Sequence, residues 1–225
     1  MVYKKPQRSK TMKKKTVLCV MIAVAILAGC ARKQAEPKTA EGFLERGKTY
    51  YNNGEYDLAI ADYTAALKIQ PDYADALFSR GQTYKNKGDY DRAIADYDAV
   101  LNIQPDYIAG LANRGIAYFQ KGDLDQAITD ITAVLKIKPD FIEALSARGE
   151  AYYHKGEYDL AIADFEAALK IQPDDVITLI WRGYMYGSKY DYDRAIADFE
   201  ATLRIEPDDA QAKQYLEQAR KARGR

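Results

Sequence analysis

Residues 74–107 read ADALFSRGQTYKNKGDYDRAIADYDAVLNIQPDY, and a shift of 34 residues in either direction returns the same skeleton. Gly recurs at 47, 81, 115, 149 and 183, and Pro at 71, 105, 139, 173 and 207. Between these markers stand Tyr at 50, 84, 118, 152 and 186, Ala at 59, 93, 127, 161 and 195, and Leu at 67, 101, 135, 169 and 203. No insertion breaks the count. A fixed period of this length specifies stacked copies of one supersecondary unit, each too small to bury its apolar face alone.

Within the quoted copy, Leu77, Gly81 and Tyr84 fall on one face of a helix, and after Gly88 a second helical pattern runs through Tyr90, Ala93, Ile94, Tyr97 and Leu101. Asp89 occupies the N-cap position of the second helix, matched by Glu55, Asp123, Glu157 and Asp191 in the other copies. Pro105 stops that helix, and Asp106 is placed to cap the next one. Glycine inside a helix costs about 1 kcal/mol relative to alanine. Five copies accept the cost, so Gly81 is expected to let two antiparallel helices approach closely, with Ala93 opposite it.

Leu77-x-x-x-Gly81-x-x-Tyr84, Ala93, Tyr97 and Pro105 resemble the signature of the tetratricopeptide repeat family, and the likeness covers residues 40–209. It implies an all-α fold, a right-handed superhelix built from helix-turn-helix repeats at 40–73, 74–107, 108–141, 142–175 and 176–209. Residues 210–225 are expected to form a capping helix, with Ala212, Tyr215, Leu216 and Ala219 on its apolar side and a polar outer face. The likeness departs at repeat position 7, where Arg46, Arg80, Arg114, Arg148 and Arg182 stand in place of the family's usual Leu. Each is matched by an Asp at position 23: Asp62, Asp96, Asp130, Asp164 and Asp198. An interhelical Arg–Asp pair in every repeat is expected, setting register more than stability if the pair is exposed. In the fifth repeat Tyr190 replaces the turn glycine, which predicts a looser turn.

The formal charge is balanced, but unevenly distributed. Residues 1–29 carry seven Lys or Arg and no acid, whereas the five repeats hold 18 bases against 31 acids, a net of −13. Neutralising a phosphate backbone needs clustered cations, so nucleic acid is an unsuitable partner. Both cysteines, Cys19 and Cys30, precede the repeats, so no disulfide staples them.

The basic start at Met12-Lys-Lys-Lys15 precedes an apolar run from Val17 to Ala28. As a helix that run spans about 18 Å, short of a ~30 Å hydrocarbon core and suited to a signal-peptide core. Leu27-Ala28-Gly29-Cys30 resembles the lipobox of bacterial lipoproteins. The likeness implies a signal peptide over 1–29, lipidation of Cys30 with diacylglycerol and an acyl chain such as palmitate, and a tether over 30–39. Two or more chains hold a membrane stably. Ala31, where Asp would favour the inner membrane, points to the outer membrane and a periplasm-facing domain; both Met1 and Met12 stand as possible starts.

No catalytic, metal-binding or cofactor motif emerges. The single histidine, His154, has no second His or Cys near it in sequence, and reads as a surface residue. No phosphate loop or nucleophile elbow is present, so the chain is expected not to be an enzyme. Asp174-Asp175 and Asp208-Asp209 read as helix caps.

In the resembled family, positions 2, 5, 6, 9, 12 and 13 of the first helices line a concave groove. The residues there vary between copies while the skeleton does not. They include Tyr51, Phe78, Gln82, Lys85, Phe119, Tyr153 and Tyr184, with Trp181 at position 6 of the last repeat. Phe78, Phe119 and Tyr153 are expected either to form one exposed strip or to pack against neighbouring repeats. The Lys and Asn set with which some family members grip a C-terminal carboxylate is missing: Leu44, Ser79 and Ala109 occupy three of its places. The expected function is a lipid-anchored scaffold or adaptor of the cell envelope that binds a protein or peptide in this groove. The alternative is a cell-wall glycan or small-ligand binder using the same aromatic residues.

Overall fold

The computed structural model describes residues 37–224. The expected lipidation site Cys30, the expected signal peptide over 1–29 and the expected tether up to residue 36 lie outside the described residues. Thr39–Arg225 forms one compact unit, and its described residues are all-helical, with eleven helices and no strand.

The helices come in antiparallel pairs: α1 (Ala40–Asn52) with α2 (Tyr56–Ile69), α3 (Ala74–Asn86) with α4 (Tyr90–Ile103), and α5 (Ile108–Lys121) with α6 (Leu124–Ile137). The remaining pairs are α7 (Ile142–Lys155) with α8 (Tyr158–Ile171), and α9 (Val176–Ser188) with α10 (Tyr192–Ile205). A last helix, α11 (Ala210–Arg223), packs on α10. Each pair stacks on the next, giving the helical-repeat solenoid expected from the 34-residue period.

Three sets of contacts repeat along the stack. The first is the Arg–Asp pair, which forms in all five copies as a two-point fork. Arg46 Nε and Nη2 donate to the two Asp62 oxygens at 2.7 Å, and the other four forks measure 2.6–2.9 Å. The carboxylates are 3–6 % exposed. These are therefore not the solvent-screened pairs the sequence allowed for, and removing one partner strands a buried charge. Three of the guanidiniums also reach back to the preceding repeat, Arg80 to Thr64 (3.1 Å), Arg114 to Asp98 (2.6 Å) and Arg148 to Thr132 (3.1 Å). One planar donor thus ties three helices together.

The second set surrounds the helical glycines. A Cβ on Gly81 would meet the Tyr97 ring at 3.0 Å and the Asp96 Cβ at 3.2 Å; on Gly149 it would meet the Phe165 ring at 2.7 Å. The bare backbone makes room for the ring at position 24 where one stands, and a Cβ on Gly115 would also lie 3.5 Å from the carbonyl of Ala127, the position-20 alanine, the close approach expected there. Gly115 faces Ile131 instead of a ring, and there the nearest atoms stand off at 3.3 Å.

The third set crosses from one repeat to the next. Asp57, Asp91, Asp125, Asp159 and Asp193 each accept a cation from the next helix pair, respectively Lys87, Lys121 (2.5 Å), Lys155 (2.8 Å), Lys189 and Arg223 (3.0 Å). Arg223 takes the place that lysine holds elsewhere, so α11 sits as the first helix of one more repeat. The pairs are exposed, and each contributes at most about 1 kcal/mol.

Caps follow side-chain reach. Asp89, Asp123 and Asp191 accept from the backbone N–H three residues on, at 3.2–3.3 Å. Glu55 and Glu157 make no such bond; the extra methylene carries the carboxylate past the amide. The expectation for Asp106 is also corrected. Tyr107 is the N-cap of α5, without a side-chain bond, and its ring packs on Phe78 instead. Where Asp stands at that place, as Asp175 and Asp209, it caps, at 2.8 and 2.6 Å.

The fifth turn is not looser. Tyr190 adopts the left-handed conformation (φ 65°) that Gly54, Gly88, Gly122 and Gly156 adopt in the other copies. The closing bond from the Asp191 N–H to the Tyr186 carbonyl, at 2.9 Å, matches its counterparts. Tyrosine bears the steric cost of that backbone, about 1–2 kcal/mol.

Candidate functional site

The period that builds the stack also aligns the variable residues into rows on the first helices. Tyr51, Lys85, Phe119 and Tyr153 form one row at 34-residue spacing, and Gln82, Ile116, Glu150 and Tyr184 another. The structure divides these candidates into an N-terminal polar part and a C-terminal aromatic part.

In the N-terminal part, Tyr51 lies 5.6 Å from Tyr56 and its hydroxyl accepts from Asn86 Nδ2 at 2.7 Å. Gln82 is half-buried. Lys85 donates to Asn113 Oδ1 at 2.7 Å, and burial holds its pKa below the usual lysine range. Phe78 turns inward, with its ring 5.8 Å from Tyr97 and 5.4 Å from Tyr107. It packs with the core, so the single strip of Phe78, Phe119 and Tyr153 does not form.

In the C-terminal part the aromatic rings connect. Phe119 meets His154 edge-on at 5.3 Å, and His154 lies 5.0 Å from Tyr153. Tyr153 in turn contacts Trp181 at 5.6 Å and Tyr184 at 5.7 Å, and Tyr184 contacts Tyr215 at 5.4 Å. The Tyr153 hydroxyl donates to the Tyr184 hydroxyl at 3.4 Å. That bond and burial push its pKa up to about 12, so the phenol stays neutral and is no nucleophile near pH 7. Edge-to-face rings of this kind hold one another in place.

Between them opens a cavity of about 370 Å³, lined by Tyr153, Ile177, Ile180, Trp181, Tyr184, Gln211 and Tyr215. Ile177 at its mouth is 64 % exposed. All seven fall on repeat positions 2, 5, 6, 9 or 12 once α11 is counted as the start of a further repeat. Gln211 and Tyr215 are not among the expected groove residues, because α11 reads from the sequence as a capping helix with Tyr215 on its packing side; shifting the repeat frame 34 residues past Ile177 and Trp181 reaches both. His154 is exposed, as expected, and its ring also bridges Phe119 and Tyr153.

The site offers apolar surface, ring faces, one amide and several hydroxyls. Among the described residues no group of three or more His, Cys, Asp or Glu side chains could hold a metal ion, and no helix is long and apolar enough to cross a membrane.

Family models described as tetratricopeptide repeat match residues 44–108, 113–176 and 178–209. No curated protein matches the chain in sequence. Among solved structures, MamA protein is similar at 24 % identity with a TM-score of 0.71, covering 77 % of this chain and 95 % of that one. A MamA fragment from Desulfovibrio magneticus RS-1 is similar at 20 % identity and TM-score 0.72, covering 78 % and 99 %. YrrB, described as a TPR protein with an unusual peptide-binding site, is similar at 19 % identity and TM-score 0.68, covering 78 % and 90 %. At these identities the likeness is one of fold.

Proposed function

The chain belongs to the tetratricopeptide repeat family, and from that premise we propose that it is a non-enzymatic scaffold that holds a peptide or protein segment in its groove. The observation that carries the reading is the aromatic pocket of Tyr153, Trp181, Tyr184 and Tyr215, open to solvent beside Ile177. Aromatic side chains cost little entropy to hold in place and dominate the energetics of protein interfaces. The peptide-binding site of YrrB, a protein of the same fold, agrees with this use of stacked repeats.

The lipobox likeness at Leu27-Ala28-Gly29-Cys30 supports the finer part of the proposal: Cys30 carries lipid, and the scaffold is anchored at the outer membrane of a bacterial envelope, facing the periplasm. Labelled palmitate incorporated by the chain and lost on Cys30→Ala tests the anchor; incorporation that survives the substitution refutes it.

Trp181 is the chain's only tryptophan, so its fluorescence reports on the pocket alone. Peptides selected by display on the full-length chain should shift that fluorescence saturably. The shift should be lost in Tyr153→Ala while the helical signal persists. Selected peptides that bind without moving Trp181 would refute the site. The glycan alternative draws on Gln211 and the tyrosine hydroxyls around the rings. A saturable Trp181 response to cell-wall oligosaccharides would favour it. The run of rings out to Phe119 favours an extended polypeptide.

A further inference from the structure

We propose that the groove is electrically polar along its length: it takes an extended peptide segment that sets a carboxylate on Lys85 and a basic side chain on Glu150, beside the aromatic pocket. The inference rests on the groove reading above and adds the partner's charge pattern and direction.

Lys85 is unusual among the half-buried cations. Each position-7 arginine grips a buried aspartate, and the lysines at position 14 of repeats 2 to 5 each grip an aspartate of the preceding pair. The repeats hold 31 acids to 18 bases, yet among the described residues none of those acids forms an ion pair with Lys85. Its one hydrogen bond goes to the neutral Asn113 amide, whose own Nδ2 is spent on the Ala109 carbonyl at 2.9 Å. Burial disfavours the Lys85 charge and no neighbouring carboxylate offsets it.

Glu150 is its mirror image two repeats away. The single cationic candidate near it is His154 Nε2, at 4.0 Å and carrying charge only when protonated. Burial raises the Glu150 pKa, with His154 opposing. Lys85 belongs to the row that ends in Tyr153, and Glu150 to the row that ends in Tyr184, so both stand on the wall that carries the aromatic pocket.

A half-desolvated, uncompensated charge costs folding free energy, and a ligand of opposite sign recovers it. Opposite signs at two points also fix which way the segment runs. Helices packed 8–10 Å apart put two repeat steps at about 20 Å. At about 3.3 Å per extended residue, that separates the acid and the base by about six residues.

Display selection on the full-length chain, read by Trp181 fluorescence, tests this. Trp181-responsive peptides should carry one acid and one base about six residues apart. Lys85→Met, which keeps the apolar stem, should weaken them about tenfold, and Glu150→Gln several-fold, with thermal unfolding unchanged or moved to higher temperature, since each removes a half-desolvated charge. The double variant Lys85→Glu with Glu150→Lys should select peptides in which acid and base have exchanged places relative to the aromatic anchor. Responsive peptides indifferent to both single substitutions would overturn the polarity and leave the aromatic site standing. A library in which no binder moves Trp181 would overturn the groove reading itself, and this inference with it. Self-association in sedimentation that Lys85→Met abolishes would assign the wall to a second copy and overturn the peptide assignment.

Discussion

The interior between paired helices and the wall of the groove are built by the same 34-residue period, yet they differ in what repeats. Inside, the Arg–Asp fork recurs in all five copies and the glycine-to-ring contact in four, because each pair must stack on the next in the same register. On the wall, one row reads Tyr51, Lys85, Phe119, Tyr153, a different demand at every step. Identity under repetition marks what the fold needs; departure from it marks what the fold leaves free.

That contrast makes graded predictions. The largest effect belongs to the fork. Asp164→Ala leaves the Arg148 guanidinium half-buried without its carboxylate, and should cost about 3–5 kcal/mol in denaturant unfolding. A cost under about 1 kcal/mol would mean that the forks are ornaments of the interior and that the contrast is misplaced. Next come the glycines. Gly149→Ala drives a Cβ to 2.7 Å from the Phe165 ring, an overpacking cost of about 1–3 kcal/mol. Gly115→Ala meets only 3.3 Å contacts at Ile131 and Asp130, and the roughly 1 kcal/mol gained in helix propensity should bring it near neutral. Equal losses at the two sites would contradict the ring explanation.

Two substitutions should raise stability by removing a local misfit. The Tyr97 hydroxyl is buried without a partner, and the same position is Phe165 and Phe199 in later copies. Tyr97→Phe should gain about 1 kcal/mol in thermal unfolding by removing an unpaired polar group. Tyr190→Gly should gain at most about 1 kcal/mol, since the relief of left-handed strain is partly offset by glycine's extra freedom in the unfolded chain. A loss in either would show that the exception has a use.

The interior was legible in the sequence because its partners sit at fixed separations within one repeat; sixteen residues from Arg46 to Asp62 is the same sixteen from Arg182 to Asp198. The Asp57–Lys87 ladder was equally periodic but crosses from one repeat to the next, and its members look like ordinary solvated charges until the stacking is known. The wall was half legible. Position 12 offered Phe119 and Tyr153, which the structure links through His154, but whether a ring turns in or out depends on its neighbours across the repeat boundary. Phe78 finds Tyr107 and turns in; Tyr153 finds Trp181 and Tyr184 and stays at the edge of a cavity.

The central claim is that the partner docks at the C-terminal, aromatic end of the wall, and a photocrosslinking amino acid placed in turn at Ile177 and Leu160 tests it most directly. Both are well exposed, at 64 % and 48 %, but Ile177 rims the aromatic cavity and Leu160 lies on the second helix α8. In the protein's native cells, the Ile177 position should yield a discrete adduct that Tyr153→Ala removes, and the Leu160 position should yield none. Adducts of equal yield from both positions, or an Ile177 adduct untouched by Tyr153→Ala, would contradict the account.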